Sequence, residues 1–326
     1  MCLNMSSEGV TFQNILEARN RIASFVARTP TYPCVAISQE LGADVYLKLE
    51  VFQPIRVFKI RGAFNKVCSL SPKERENGVV AASSGNHGLA VAYAAKTLGI
   101  KAIICVPEKA VEEKVKAIEG YGAEIIKFGK DYDEAYSKAL EIQSKTKTAF
   151  VHAFNDPFVI AGQGTIGLEL LEDVPDLDTI IIPIGGGGLL SGIATAAKTI
   201  KPNIRIIGVQ AEGASAYYQS WKARKIVELD SVHTVADGLA ARKPMALAFG
   251  ILQKYVDDIL LVTEDEIGQA VLKYLHEARL LVEPSGAASL AALLFKYHLK
   301  PKEKIALITS GGNISVSYLT TLLKLQ

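Results

Sequence analysis

The chain has 326 residues, of which 49% are hydrophobic and 21% charged, and its 36 basic and 34 acidic residues leave a net charge of +2. That length exceeds the ~250–300 residues at which one hydrophobic core stops growing, so two domains or a large α/β unit are expected. The balanced charge, with no basic stripe, excludes a nucleic-acid partner, and no apolar run approaches the ~18–20 residues that span a bilayer.

The opening stretch "MCLNMSSEGV" contains an acid and lacks the basic and apolar regions of a signal peptide, so a cytoplasmic location is expected. Short β-branched runs then alternate with helical spacing. Strands are expected at 45–49 ("VYLKL") and 79–83 ("VVAAS"), followed by a helix over 85–99. Strands at 101–107, 123–128 and 150–154 ("FVHAF") enclose a helix over 133–146. Beyond them come a strand at 179–184 ("TIIIPI"), a helix over 188–200 and a strand at 205–210. A strand at 258–263, a helix over 264–278 and a strand at 304–309 ("KIALIT") complete the pattern. Strands apolar on both faces that alternate with helices imply mostly parallel sheets covered by helices. Such sheets bind ligands beyond the carboxyl ends of their strands.

The four cysteines (Cys2, Cys34, Cys68, Cys105) lie more than thirty residues apart, which leaves neither a CxxC zinc pattern nor a dense disulfide framework. Cys68 and Cys105 read as core or near-core thiols. The five histidines form no HExxH pair.

Three of the loops that follow strands are rich in glycine. In "PIGGGGLLSG" (183–192) four glycines run from a buried strand into a helix, where free backbone N–H groups and the helix dipole make an anion site suited to phosphate. The Walker pattern is absent, and Ser191 stands where the third glycine of GxGxxG would be. Glu212, after the next strand, keeps a dinucleotide reading open. "SSGNHG" (83–88) opens a helix, with Ser83, Ser84 and Asn86 placed to cap it. Capping accounts for one of these side chains, whereas two serines with Asn86 and His87 suit a substrate carboxylate. "SGGN" (310–313) places the Ser310 hydroxyl at a strand end. Upstream, "LEVFQPIRVFKIRGAFNKV" sets Lys59 between two apolar residues, where its amine either snorkels into water or is held as a reactive group.

Together, Lys59 in "FKIRGA", Asn86 in "SSGNHG", glycines 185–188, "EPSGA" (283–287) and "SGGN" resemble the fold type II pyridoxal phosphate enzymes, in the serine/threonine dehydratase and serine racemase branch. The motifs occur in the family's order from residue 50 to residue 313. The resemblance implies an α/β fold of two domains, each a mostly parallel twisted sheet covered by helices. Residues 1–50 and 151–326 would form the large cofactor-binding domain, and 51–150 a smaller mobile one carrying "SSGNHG". It implies pyridoxal 5'-phosphate bound as a Schiff base to Lys59, beside Phe58. Gly185, Gly186, Gly187, Gly188 and Leu189 would hold the phosphate, Asn86 the ring hydroxyl, and Ser310 the pyridine nitrogen. Glu283 would lie near the cofactor, and Ser83, Ser84, Asn86 and His87 would line the substrate carboxylate site. The implied reaction is elimination of water from L-threonine or L-serine, giving 2-oxobutyrate or pyruvate and ammonia, in a homo-oligomer with a small amino-acid substrate.

Three other readings remain. Ser84 matches the serine that works across the cofactor from the lysine in serine racemases. A dehydratase for another β-hydroxy amino acid such as 3-hydroxyaspartate is the second, and a non-catalytic phosphate-binding or nucleotide-binding regulator is the third. The branch's divalent-cation site has one acid here, Glu212, and no second acid in "GASAYYQSW" (213–221). The chain ends at residue 326, soon after "SGGN", so no appended regulatory domain is expected. Where the family usually writes Thr-Gly-Ser before "FKIRGA", this chain has Ile55, Arg56 and Val57. A glycine at position 56 would suit a φ that arginine tolerates poorly. Either threonine activity is impaired, Arg56 serves an anionic substrate group, or Arg56 points to solvent.

Overall fold

A computed structural model describes residues 9–324. Cys2 and most of the segment that carries the signal-peptide reading lie outside them. From the amino end, α1 (Phe12–Ile22) and β1 (Thr31–Pro33) precede α2 (Val35–Leu41) and β2 (Asp44–Leu49). A 3-10 turn, Glu50–Phe52, leads to α3 (Lys59–Cys68) and α4 (Pro72–Asn77). Then follow β3 (Val79–Ala82), α5 (Asn86–Thr97), β4 (Ala102–Val106), α6 (Glu112–Glu119), β5 (Glu124–Lys127), α7 (Tyr132–Thr146) and β6 (Ala149–Phe150). The remainder is α8 (Pro157–Asp173), β7 (Thr179–Pro183), α9 (Gly188–Ile200), β8 (Arg205–Ala211), α10 (Ala216–Ala223), α11 (Ala246–Tyr255), β9 (Asp258–Val262), α12 (Glu264–Lys273), α13 (Pro284–Phe295), β10 (Lys304–Thr309) and α14 (Val316–Lys324).

These strands form two sheets, ordered β1-β2-β10-β7-β8-β9 and β5-β4-β3-β6. Every pairing is parallel except β1 with β2. Strand β7 shows why its sequence lacks alternation. Ile180 and Ile182 pack into one cluster while Ile181 packs into another on the opposite face, so every position is buried. The α/β architecture of parallel-rich sheets covered by helices is the one expected. Register then assembles the loops. Thr309 pairs with Leu49, and Pro183 with Val209, so Ser310, Glu50 and the glycine loop leave the large sheet at its carboxyl edge.

The strand expected at 150–154 stops at Phe150. Val151 still donates its amide to the Val80 carbonyl, but the His152 ring then takes the amides of Phe154 and Asn155 on Nδ1, at 3.2 and 2.9 Å, and turns the chain out of the sheet. The helix expected over 264–278 is α-helical to Lys273 and closes in a π-turn, Tyr274–Ala278, with Arg279 left-handed at φ 55°. Helices α8 and α13 are buried almost all round and carry no stripe that periodicity could detect.

A buried ionic network closes the seam where α3 meets α8. The Arg61 guanidinium is fully buried and holds Glu50 at 2.8 and 2.9 Å and Glu169 at 2.6 and 2.9 Å, with the Thr165 hydroxyl at 3.0 Å. Lys48, also fully buried, reaches Glu169 and the Thr29 carbonyl, each at 2.6 Å. Burial acts to raise the Glu50 carboxyl, but Arg61 beside it wins and holds it below its usual range. The network's two carboxylates and two cations thereby fix the first turn of α3, which begins at Lys59.

Candidate active site

The segment that delivers Lys59 alternates in and out: Val51, Gln53, Ile55 and Val57 are buried, and Phe52, Pro54 and Arg56 are exposed. Ile55 and Val57 therefore join the apolar cluster of Ile60 and Phe64, while Arg56 points to solvent. Arg56 sits at φ 60°, the left-handed region that favours glycine. Its carbonyl accepts the Gly312 amide and Val57 bridges Gly311, so this turn is stitched to the "SGGN" loop. Arg56→Gly is expected to raise stability by up to about 1 kcal/mol in urea unfolding, since relief of the left-handed cost outweighs the added freedom of the unfolded chain. Turnover is expected to stay within about twofold, because the side chain is solvent-facing. A stability loss would show that the arginine side chain, rather than its backbone, governs the turn.

Lys59 opens α3 without a side-chain cap, and the Phe58 amide donates to the Ser310 carbonyl at 3.0 Å. The Lys59 Nζ lies 5.1 Å over the Phe58 ring and 3.4 Å from the Ala153 carbonyl. Burial pushes the ammonium down to about 8, with the Glu283 carboxylate opposing. Part of the side chain still opens onto the cleft. A substantial neutral fraction near pH 8 is what an amine needs to attack a carbonyl.

Across the cleft, α5 is capped by the backbone of Gly85 alone. The capping expected of Ser83, Ser84 or Asn86 does not occur. The Ser83 hydroxyl accepts the Gly85 amide at 3.2 Å, and Asn86 turns its side chain away from the helix end. Asn86 Nδ2 donates to both Glu283 oxygens, at 2.8 and 3.1 Å, while its Oδ1 accepts from Asn313 Nδ2 at 2.8 Å. Burial pushes the Glu283 carboxyl up, with the Asn86 hydrogen bond opposing. The amides of Asn86, His87 and Gly88 have no acceptor among the described residues, nor does the Ser84 hydroxyl have a partner there. This leaves a helix N-terminus with free donors for an anion.

His87 is buried, and its Nε2 lies 2.8 Å from the Val151 carbonyl, which can only accept. The ring is thereby spent on β6's extension and positions the loop. Burial, helped by the Lys59 charge, lowers its pKa to about 3, and burial lowers His152 to about 4. Because both values fall below the ordinary 6.5, the unfolded chain binds more protons than the folded one between pH 6.5 and 4. The stability these neutral rings contribute is present above pH 6.5 and is lost as pH falls toward 4 and 3. At ~1.4 kcal/mol per unit of separation, a loss of a few kcal/mol is expected in unfolding measured between pH 7 and 4.5. A flat profile over that window would overturn it.

The glycine loop joins β7 to α9. Gly187 is left-handed at φ 84° and caps α9, and no described residue accepts from the amides of Gly185, Gly186, Gly187, Gly188 or Leu189. A methyl group at Gly185 would overlap the Gly238 carbonyl oxygen, and one at Gly186 the Phe154 ring. Five unpaired amides at the start of a 13-residue helix suit a phosphate. Ser310 is buried, yet no described residue engages its hydroxyl. Asn155, whose buried Oδ1 is unpaired, continues the segment that carries Ala153 and Phe154. Lys59, Asn86, Glu283 and Ser310 thus share one cleft with the glycine loop, and the residues present fit pyridoxal phosphate. Glu212 is exposed in a turn after β8, and no set of three potential metal-ligating side chains gathers among the described residues.

Sequence reasoning missed Ala153, Phe154, Asn155 and Tyr217. The first acts through its carbonyl, and the others lie on stretches whose spacing announces no site. Asn313 belongs to the "SGGN" motif, yet only the fold places it on Asn86.

The pyridoxal-phosphate dependent enzyme family model matches residues 22–311. The chain is 44% identical over 308 residues to the Thermotoga maritima protein named L-threonine ammonia-lyase, which covers 94% of this chain and 77% of that one. A structure of maize serine racemase superposes with a TM-score of 0.92 at 40% identity, over 97% of each chain. A crystal structure of the T.th. threonine deaminase gives 0.89 at 37% identity, over 94% of this chain and 99% of that one.

Proposed function

The chain belongs to the pyridoxal-phosphate dependent enzymes of fold type II, and from this premise we propose that it eliminates water from L-threonine or L-serine, yielding 2-oxobutyrate or pyruvate and ammonia. The observation that carries the reading is Lys59, a desolvated amine with a pKa near 8 in one cleft with the amide-lined glycine loop.

The cofactor, when bound, supplies a carbonyl for the amine and a ring that draws electrons from the substrate α-carbon. Lys59 Nζ would hold it at rest, and the same amine, when free, is placed to take the substrate α-proton. The free amides at the start of α5, with the Ser83 and Ser84 hydroxyls, bind the substrate carboxylate. Asn86, held in one amide orientation by Glu283 and Asn313, would orient the ring hydroxyl. Ser310 would offer the pyridine nitrogen a neutral hydroxyl. The β-hydroxyl leaves as water with the proton that Lys59 took from the α-carbon, and the released enamine hydrolyses to the 2-oxo acid and ammonia.

Residues 51–150 form the unit that closes on substrate. Its contacts to the rest include the buried pairs of Arg61 with Glu50 and Glu169 beside the α3 hinge, the Asn86 hydrogen bonds and two surface ion pairs, Lys114 with Asp237 and Arg242 with Asp133. A homo-oligomer is proposed from the resemblance and is checked by light scattering. A cytoplasmic setting accords with the free thiols of Cys34, Cys68 and Cys105.

The maize likeness keeps racemisation as the second reading, with Ser84 as its second proton carrier. Incubation with L-threonine is expected to give 2-oxobutyrate and ammonia in equal amounts, and L-serine to give more pyruvate than D-serine by chiral chromatography. An excess of D-serine would make the protein a racemase, and no product from either substrate would remove both readings.

A further inference from the structure

We infer that Tyr217 is a positioning residue for the cofactor phosphate, setting the direction of an amide in the glycine loop from outside the site. Tyr217 lies on α10 and is fully buried, and its hydroxyl donates to the Gly186 carbonyl at 2.7 Å. A trans peptide plane points its C=O and N–H in opposite directions. Tying the Gly186 carbonyl to Tyr217 therefore turns the Gly187 amide to the other side, where no described residue accepts from it.

The rest of the loop is fitted to this hold. The Tyr217 oxygen lies 2.5 Å, and the Ala248 methyl 3.0 Å, from where a methyl group at Gly187 would stand. On the other flank the Phe154 ring and backbone press against Gly186 and Gly188. The Gly186–Gly187 peptide, whose residues would otherwise sample many conformations, is clamped between phenol and phenyl in one of them. Burial raises the pKa of the Tyr217 phenol, so it keeps its proton throughout the working range. Without that hydroxyl the Gly186 carbonyl loses the side-chain donor that holds it, and the peptide is free to turn its oxygen toward the anion.

The inference rests on the glycine loop holding phosphate, and the test separates the two. Apoprotein, stripped of cofactor, is titrated with pyridoxal phosphate and with pyridoxal, following the visible absorbance. If the loop holds phosphate, the unaltered protein binds the phosphorylated form much more tightly. Tyr217→Phe is then expected to weaken pyridoxal phosphate about tenfold, the scale of one ordered charge-assisted donor, and to leave pyridoxal within about twofold. Inorganic phosphate, as competitor, should weaken in the same proportion as the cofactor. Unchanged pyridoxal phosphate affinity, or equal weakening of both aldehydes, would overturn the role of Tyr217. Equal affinity of the unaltered protein for both aldehydes would instead overturn the phosphate assignment and the inference with it. If Tyr217→Phe does not fold, Tyr217→Met, which fills the slot without a hydroxyl, is read by the same criteria.

Discussion

Lys59→Ala is expected to lower 2-oxo acid formation on the order of 10³-fold or more and to abolish the visible absorbance of the lysine-linked cofactor. Two functions fall together in this variant. On the proposed assignment the amine that anchors the cofactor is gone, and so is the base that takes the α-proton. The fold should survive, because Lys59 contributes little to the core: its Nζ makes one long hydrogen bond, 3.4 Å to the Ala153 carbonyl, and part of the side chain faces the cleft. Circular dichroism of the variant therefore serves as the control. Turnover within about tenfold of the unaltered protein would overturn the assignment of Lys59 as base. Retention of the absorbance would overturn it as anchor. An unaltered protein that shows neither absorbance nor turnover would favour a non-catalytic regulator on the same scaffold.

The largest stability effect is expected at Arg61. Arg61→Met removes the guanidinium that holds Glu50 and Glu169 in a site almost closed to water. Those two carboxylates are then left to Lys48, whose own charge is disfavoured by burial, with Glu169 opposing. Breaking a buried pair from one side costs about 3–5 kcal/mol, because the surviving charge is uncompensated. Against a total stability of ~5–15 kcal/mol, that is a large share. Glu50→Gln in the same chain should recover part of the loss by removing one of the stranded charges. Urea unfolding of the single and double variants checks this, and a single variant within about 1 kcal/mol of the parent would show that the network contributes little. Because Arg61 also fixes the turn that carries Lys59, the folded fraction of the variant should lose turnover as well.

Arg56 illustrates how a departure from the family pattern resolves. In the sequence, "IRV" reads as the loss of a small polar run beside Lys59. In the fold, it is an alternation in which Ile55 and Val57 extend the core and Arg56 occupies a left-handed position at the surface. The expected glycine-like φ was legible. The outward direction of the side chain was not, since it depends on which neighbours bury positions 55 and 57.

The sequence by itself determined the alternation of buried strands and helices and the three glycine-rich loops after strands, whose motifs carry the resemblance that implies the cofactor and Lys59 as its lysine. These are local signals: a strand buried on both faces must be apolar throughout, and a backbone that offers its amides to an anion must be rich in glycine. Only the tertiary structure decided what holds those pieces in place. The pairing of Thr309 with Leu49 brings Ser310 to the level of Glu50, and Asn86 meets Glu283 and Asn313 across about two hundred residues of chain. The His87 ring goes to Val151, and Tyr217 reaches Gly186 from a helix with no site motif of its own. Such contacts depend on register and helix packing between segments far apart in the chain, and no spacing within a single segment records them.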